Sequence, residues 1–582
     1  MPAEPGNLQN LSRALHRSMP HRNDIRLLCQ ISSQYPTLLG AHLTRSYTTL
    51  QCHGLKAADG ILGEPPLQTV HPVLIARYML QLAIMLQDMH LEVQSELSSL
   101  SESVSDIMQR CANAAVSLVT TRDEVLGSIE SLECVMLESV YRCNSGHLKL
   151  SWIAARRAMI LAQTMGLHLQ DAERKTTLKV LDSTATHVEP QTLWFRIVTY
   201  DLLMCRMLGL PPGITDAYSA HFFLDPGTAL GHLENKHCNI MNQILKRKRP
   251  GSGLPDFEKT LLLDQELQRA AKAVPSDWWL APHLSESSKD PVAIFWDVRR
   301  LLVQTIHYDL FNQLYVPYML DQGQSATDRQ RCNLSRIVCV NSSREVLSRY
   351  ILLRNFNHVA SSCRIVDFMG LMASITLALA HLGGRHQLSD NISVQSCNLL
   401  LHQAPSDRAM MEEALKRMRQ VSQLSGDAIS ARSADTLRRL MDIESETADH
   451  EAKDHINVHA ELVSDDIEFQ NDVLDVDDAE RIDVPYFGFI RIIRERENLH
   501  SPPALTMPVE EHHQNTNDTA AEHYTLEPGL GKNVSNLQPP LHSYGTIPPD
   551  LNDEHWDFQN IHLSFLDDFF DNLPRNETIR DS

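Results

Sequence analysis

Apolar side chains recur at helical spacing through most of residues 1–445, and nowhere more densely than in 121–216. Thr121 and Glu124 have the spacing of a capping box, which predicts a helix starting near Arg122. Val125, Ile129, Leu132, Met136 and Val140 then follow three or four residues apart and so share one helical face. Asn144, Ser145 and Gly146 stop that helix. Leu148, Trp152, Ala155, Met159 and Ala162 form a second stripe, with Arg156 and Arg157 off it, and Gly166 stands where a left-handed C-terminal cap is wanted. So short a turn predicts that the two helices pack antiparallel. A third helix begins at Pro190, is carried by Leu193, Trp194, Ile197, Val198, Leu202 and Cys205, and ends at Gly209 before Pro211 and Pro212. Its Asp201 reads as solvated or capped rather than catalytic. Trp152 reads as core, so Trp152→Ala should cost ~3 to 5 kcal/mol, the range for a large-to-small change at a buried site.

Outside this centre the patterning varies. Residues 1–65 are weakly patterned, with Arg13, Arg17, Arg22 and Arg26 making a mildly basic, flexible arm. From Pro72 a helix carries Leu74, Tyr78, Leu82, Met85 and Leu86 on one face, and a serine-rich span, 95–105, follows it. Helical patterns resume at 296–320, 334–353, 366–382, 410–424 and 434–441, and no strand alternation of useful length appears before Val484. The fold expected is all-α, a multi-helical array of packed antiparallel helical hairpins over 66–445. Residues 446–582 are rich in acidic side chains, Asn, His and Pro, and cannot bury enough apolar surface to offset their ordering entropy, so a mostly disordered tail is expected. One apolar island within it, 484–493, would either pack back on the body or bind a partner.

Charge sharpens that division. Residues 441–582 hold 32 of the 73 acidic and 8 of the 52 basic residues, a balance of −24, which leaves 41 and 44, or +3, for 1–440. A nearly neutral body tied to an acidic tail does not suit nonspecific nucleic-acid binding by the whole chain, which needs clustered lysine and arginine. Eleven cysteines without regular spacing, and an N-terminus without the apolar core of a secretory signal, read as reduced cytosolic or nuclear thiols. The longest apolar run, 368–380, falls short of the ~20 residues that cross a bilayer, so no membrane partner is expected.

Two stretches suggest contacts with other molecules. Lys246, Arg247, Lys248 and Arg249, followed by Pro250, Gly251, Ser252 and Gly253, form a basic cluster on a breaker-rich loop, a candidate nuclear-localisation signal weighed against a solvated loop. Near the C-terminus, 554–573 interleaves Trp556, Phe558, Phe565, Leu566, Phe569, Phe570 and Leu573 with Asp567, Asp568 and Asp571. This acidic and hydrophobic mixture suits an activation segment, in which carboxylates keep aromatics solvated until they fold as a helix into a partner's groove. A terminal helix docked on the body is the alternative.

Enzyme chemistry finds little support. Asp567, Asp568 and Asp571 also spell DDxxD, the magnesium-diphosphate motif of terpene synthases, which leaves an all-α metal-dependent lyase as a distant competitor. The nearest candidate second metal site, Asn471 and Asp472, has Asp475 and Ala479 where a hydroxyl and a glutamate are needed. His450, Glu451 and His455 are one residue too widely spaced for a zinc protease, and Cys332 and Cys339 read as small core residues. No catalytic residues, no metal ligands and no cofactor are assigned.

The segments 148–168 (LKLSWIAARRAMILAQTMGLH) and 193–216 (LWFRIVTYDLLMCRMLGLPPGITD) carry Gly146 just ahead of them and then, in order, Trp152, Arg157, Ala158, Gly166, Leu167, His168, Trp194, Arg196, Asp201, Gly209, Pro211 and Asp216. In this they resemble the fungal-specific transcription factor domain, the middle homology region of the fungal zinc-cluster regulators. Stretches 71–87 and 307–320 extend the likeness, which spans 66–445. Gly146, Trp152, Arg157, Gly166, Trp194, Asp201, Gly209 and Pro211 are then structural positions of the motif. The sequence departs from the family in lacking its DNA reader, since no Cys-x-x-Cys pair occurs anywhere in it; zinc enters only if a DNA-binding module lies outside this sequence.

The resemblance implies a nuclear transcription regulator, not an enzyme, controlling a fungal gene set such as a secondary-metabolite cluster or a nutrient pathway. Its partners would be the transcription machinery or a coactivator, and DNA reached directly or through a zinc-cluster protein, as a homo- or heterodimer. A co-regulator that does not bind DNA and dimerises with a zinc-cluster factor is the second reading.

Overall fold

The computed structural model describes residues 5–34, 38–56, 62–88, 97–169, 178–182, 188–214, 228–247, 254–282, 284, 290–321, 325–356, 364–389, 394–425, 428–450, 456–463, 479–484 and 488–496. Among them are sixteen α-helices: α1 (Pro5–Arg17), α2 (Arg22–Gln34), α3 (Leu39–Thr44), α4 (Tyr47–Cys52), α5 (Pro72–Asp88), α6 (Val104–Ala115), α7 (Ile129–Asn144), α8 (Leu148–Thr164), α9 (Pro190–Leu208), α10 (Ala229–Arg247), α11 (Phe257–Lys272), α12 (Pro291–Met319), α13 (Ala326–Asn355), α14 (Arg364–Ser389), α15 (Val394–Ser425) and α16 (Ala428–His450). The body is the expected all-α array, in which successive helices pack on one another: α7 on α8, α8 on α9, α12 on α13, α13 on α14 and α15 on α16.

The helix ends expected at Asn144–Gly146, Gly166 and Gly209 are observed, the helices stopping at Asn144, Thr164 and Leu208. Gly146, Gly166 and Gly209 follow them with φ of +83°, +75° and +68°, a region that side chains with a Cβ rarely adopt. The predicted start at Arg122 is not observed. Helix α6 runs on into a π-helical turn, Val116–Thr120, and Thr121 closes that turn by donating its hydroxyl to the Val116 carbonyl at 2.8 Å. Helix α7 starts at Ile129 instead, behind a capping box of Ser128 and Ser131. The first 65 residues also differ from the flexible arm expected. Helices α1 to α4 lie here, with Leu15, Leu28 and Ile31 fully buried and the Ser12 hydroxyl bonded to the Val70 carbonyl at 2.8 Å. The four arginines of the arm stay on the exposed face.

Within α14 the stretch Arg364–Gly383 is long and apolar enough to cross a membrane, longer than the run seen in the sequence, but it is mostly buried inside the protein, as a core helix is. Past α16 three strands, β1 (Ile456–Val463), β2 (Ala479–Val484) and β3 (Gly488–Arg496), form an antiparallel sheet of order β1-β3-β2. Ile456 pairs with Arg496 and Val463 with Phe489, while Ala479 pairs with Ile493 and Val484 with Gly488. β1 runs beside α14 and α16. The island 484–493 therefore supplies most of the central strand of a sheet in a stretch expected to be mostly disordered.

Candidate functional site

The residues that carry the sequence motif meet where α8, α9 and the turn after α9 come together. Asp201 is wholly buried, a correction to the solvated or capped reading: its Oδ1 lies 2.6 Å from Nε of Arg156, and its Oδ2 accepts the Gly213 amide at 2.9 Å. Arg156 also donates through Nη2 to the Pro211 carbonyl, and the Cys205 thiol lies 3.2 Å from that same carbonyl. Gly213 has no side chain for a reason, since a Cβ there would collide with the guanidinium of Arg156 and with Met159. Burial pushes the Asp201 carboxyl up from its ordinary range, opposed by the Arg156 charge, and burial pushes the Cys205 thiol up to about 12. The thiol is thus protonated at neutral pH and is no nucleophile. Both carboxylate oxygens are engaged, so the cluster clamps the 209–214 turn onto two helices and offers no free base.

Trp152 is the second correction. It is half-buried rather than core, and the guanidinium of Arg156 sits over its ring, 5.0 Å from the centroid. Helical geometry explains this, because the α8 faces turned inward are lined by alanines: Ala155, Ala158 and Ala162 are fully buried while Leu150, Ile153 and Ile160 are exposed. Arg157 pairs with the exposed Asp123 at 3.1 Å. Trp194 is buried, 6.1 Å from the His168 ring.

Of the basic cluster, Lys246 and Arg247 are the last two residues of α10 rather than loop, at the end of a helix where cations are favoured. Arg247 Nη2 donates to the Tyr318 hydroxyl at 3.1 Å and to Thr260, tying α10 to α11 and α12. Lys248 and Arg249 lie outside the described residues, as do Trp556, Phe558, Phe565, Leu566, Phe569, Phe570 and Leu573 of the candidate activation segment and the DDxxD aspartates. Among the described residues, no three His, Cys, Asp or Glu side chains are grouped to hold a metal ion, and none of the nine cysteines whose side chains are described, the buried Cys332 and Cys339 among them, forms a disulfide.

Sequence reasoning missed a buried ionic junction between α9, α10 and α12. Arg206 Nη1 lies 2.6 Å from Oδ2 of Asp309, each side chain only 1% exposed. Two residues before Asp309, His307 Nδ1 lies 3.0 Å from His237 Nε2, and Trp279 and Phe311 close the space around His307 with ring centroids at 4.6 and 5.2 Å. Burial pushes His237 down to about 3; burial, His237 and Arg349 hold His307 well below its ordinary value, so the pair is neutral. The available signal was the run His307, Asp309, Asn312 and Gln313 within an otherwise apolar helix, polar groups at positions whose helical neighbours are core.

The chain is similar to two dehydrocurvularin biosynthesis regulators. It is 44% identical to that of Alternaria cinerariae over 489 residues, 84% of this chain and 62% of the relative, and 41% identical to that of Aspergillus terreus over 521 residues, 89% of this chain and 69% of the relative. It is also 41% identical to the transcription factor eupR of Phoma sp over 323 residues, 54% of this chain and 67% of that protein. The match thus spans less than two thirds of the Alternaria relative's length. No family model matches the chain, and no solved structure does.

Proposed function

We propose a regulator of transcription as the function of this chain, which belongs to the family of fungal transcription factors and biosynthesis regulators. It acts in the nucleus on the genes of a secondary-metabolite pathway, through DNA and the transcription machinery. The observation that carries this is the similarity to biosynthesis regulators along more than four fifths of the chain, body and part of the tail together. The names of these relatives are those of regulators, not enzymes. In mechanism, the helical body is the regulated scaffold. Residues 246–249 are read by the import machinery once the end of α10 frays, and 554–573 recruits a coactivator through Phe569 and Phe570.

Disruption of the gene, followed by transcript sequencing, tests the function: transcripts of one biosynthetic gene set should collapse, and an unchanged transcript profile would reject it. A fusion of residues 550–582 to an unrelated DNA-binding domain tests the activation step. It should switch on a reporter and lose that activity when Phe569 and Phe570 become alanine; an inert fusion removes the segment from the mechanism.

A second reading is a co-regulator that does not itself bind DNA and dimerises with a zinc-cluster factor, which supplies the DNA contact. Specific DNA binding by the purified chain alone at moderate salt would reject that reading.

A further inference from the structure

Where α3, α4, α9, α10 and α12 meet, the interior holds more positive charge than it neutralises. Glu234 is buried, and its Oε2 accepts from Arg196 Nη1 at 2.8 Å while its Oε1 accepts from the Tyr47 hydroxyl at 2.9 Å. Arg299 reaches the same Oε1 through Nη2 and donates through Nε to the Tyr47 oxygen at 2.6 Å. One carboxylate therefore faces two guanidiniums, whose side chains are 4% and 15% exposed. Burial would push the Glu234 carboxyl up, but the charges of Arg299 and Arg196 hold it below its ordinary value, so it is ionised. The remaining neighbour, His42, is kept neutral by burial and by the same two arginines. These four side chains sum to one net positive charge, and the next carboxylate, Glu189, is taken up by the Ser46 amide and the Thr49 and Thr192 hydroxyls.

Two of its polar atoms have no partner and no exposure to water: Arg196 Nη2 and His42 Nδ1. Both belong to side chains more than nine-tenths buried. The rest of Arg196 is held in place, with Nε on the His42 carbonyl at 3.3 Å and Cζ over the Tyr47 ring at 5.0 Å. A guanidinium held through Nε, Nη1 and its ring face, with Nη2 idle, is a preorganised donor site for an anion. The wall beside it is aromatic. Phe295 lies 6.1 Å from the His42 ring, Trp296 lies 5.9 Å from the Tyr47 ring, and the two rings stand 5.3 Å apart, edge to face. Both are only half-buried, so this wall runs from the charged corner to the surface.

We propose that this corner binds a small aromatic carboxylic acid, whose carboxylate accepts from Arg196 Nη2 and from the Nδ1–H tautomer of His42 and whose ring lies against Phe295 and Trp296. The single excess charge selects a monoanion, which a carboxylate is at neutral pH and a phosphate monoester is not. Apolar surface with a few placed polar groups is the usual composition of a small-molecule site. That the acid acts as an effector of transcription rests on the function proposed above; the binding does not.

Isothermal titration of the full-length protein with benzoate at low salt tests it, with benzamide and sulfate as controls. Benzoate should bind saturably at one site, benzamide about tenfold more weakly or not at all, because it lacks the charge the corner is short of. Arg196→Gln should weaken benzoate by about tenfold or more. Since that change also disturbs Glu234, His42→Gln and a fluorescence readout stand beside it: benzoate should quench the tryptophan emission, and Trp296→Phe should abolish the quenching while leaving a cooperative melt. Absence of saturable benzoate binding, equal binding of benzamide or sulfate, or unaltered affinity in a folded His42→Gln protein would each overturn the proposal. None of these readouts depends on transcription, so failure of the transcript test leaves them intact.

Discussion

The α7–α8 hairpin and the α9–α10–α12 junction are both made of long buried helices, yet their internal seams close by opposite means. In the hairpin, Leu132, Val135 and Met136 of α7 and Ala155, Ala158 and Ala162 of α8 are fully buried. Across the α7–α8 seam the polar contact is self-contained, since the Ser139 and Ser151 hydroxyls each donate to the other's carbonyl, at 2.6 and 2.7 Å; the buried Glu130, Glu133 and Glu138 of α7 are taken up by the Leu181 and Asp182 amides, by Arg77 and by Arg142. In the junction the buried groups are Arg206 and Asp309, His237 and His307, and Glu234 between two arginines. Apolar seams gain free energy with every group buried. Ionic seams repay their desolvation only while every partner is present. The hairpin should therefore supply stability and tolerate change, and the junction should supply a response to charge.

The largest break in that contrast comes from Asp309→Ala. It leaves the Arg206 guanidinium charged and buried without its partner, and should cost ~3 to 5 kcal/mol in urea unfolding. The double replacement Arg206→Met with Asp309→Leu removes both charges and should restore stability to within ~1 kcal/mol of the original. A single-variant loss below ~1 kcal/mol would mean that water reaches the pair and that the junction is not a dry ionic seam.

Next in size is the acid response. Burial depresses His237 to about 3 and His307 in the same direction. The unfolded chain, with histidines near 6.5, binds protons that the folded chain refuses, so stability is full above pH ~6.5 and falls as the pH drops below it. Each histidine contributes ~1.4 kcal/mol per pH unit, or about 2 kcal/mol between pH 6.5 and 5. Urea midpoints at pH 7.5 and 5 measure this, and His237→Gln should remove one histidine's share. A slope unchanged in that variant would show that the pair is protonated in the folded state.

The same contrast explains what could be read from the residues beforehand. The hairpin was legible because its signals are local: glycines at 146, 166 and 209 adopt positive φ whatever the rest of the chain does, and the apolar stripes repeat within one helix. The junction was not, because its pairs join residues far apart in the chain, 206 with 309 and 234 with 299, and nothing in helical period marks a buried arginine's partner. Local signals also misled where two competed. Thr121 and Glu124 have capping spacing, but α6 continues through a π turn and uses the Thr121 hydroxyl to end itself. In the N-terminal 65 residues the signal was present and overlooked: Leu11 and Leu15, then Ile25, Leu28 and Ile31, keep helical spacing under the exposed arginines.

The smallest effect sharpens the contrast most, because it concerns the hairpin's own edge. A tryptophan that filled the seam would cost ~3 to 5 kcal/mol to truncate. Trp152 instead lies half-buried beneath Arg156, whose guanidinium is already fixed by Asp201 and the Pro211 carbonyl. Alanine there gives up part of the ring's apolar contact and one cation–π contact while the ion pair and the alanine-lined seam remain, so thermal unfolding should show a loss of only ~1 to 2 kcal/mol. A loss in the fully buried range would mean that the ring is covered in solution by something beyond the described residues. The apolar face of α8 that Leu150, Ile153 and Ile160 leave exposed would then be an occupied surface, and the hairpin would share with the junction a dependence on a partner.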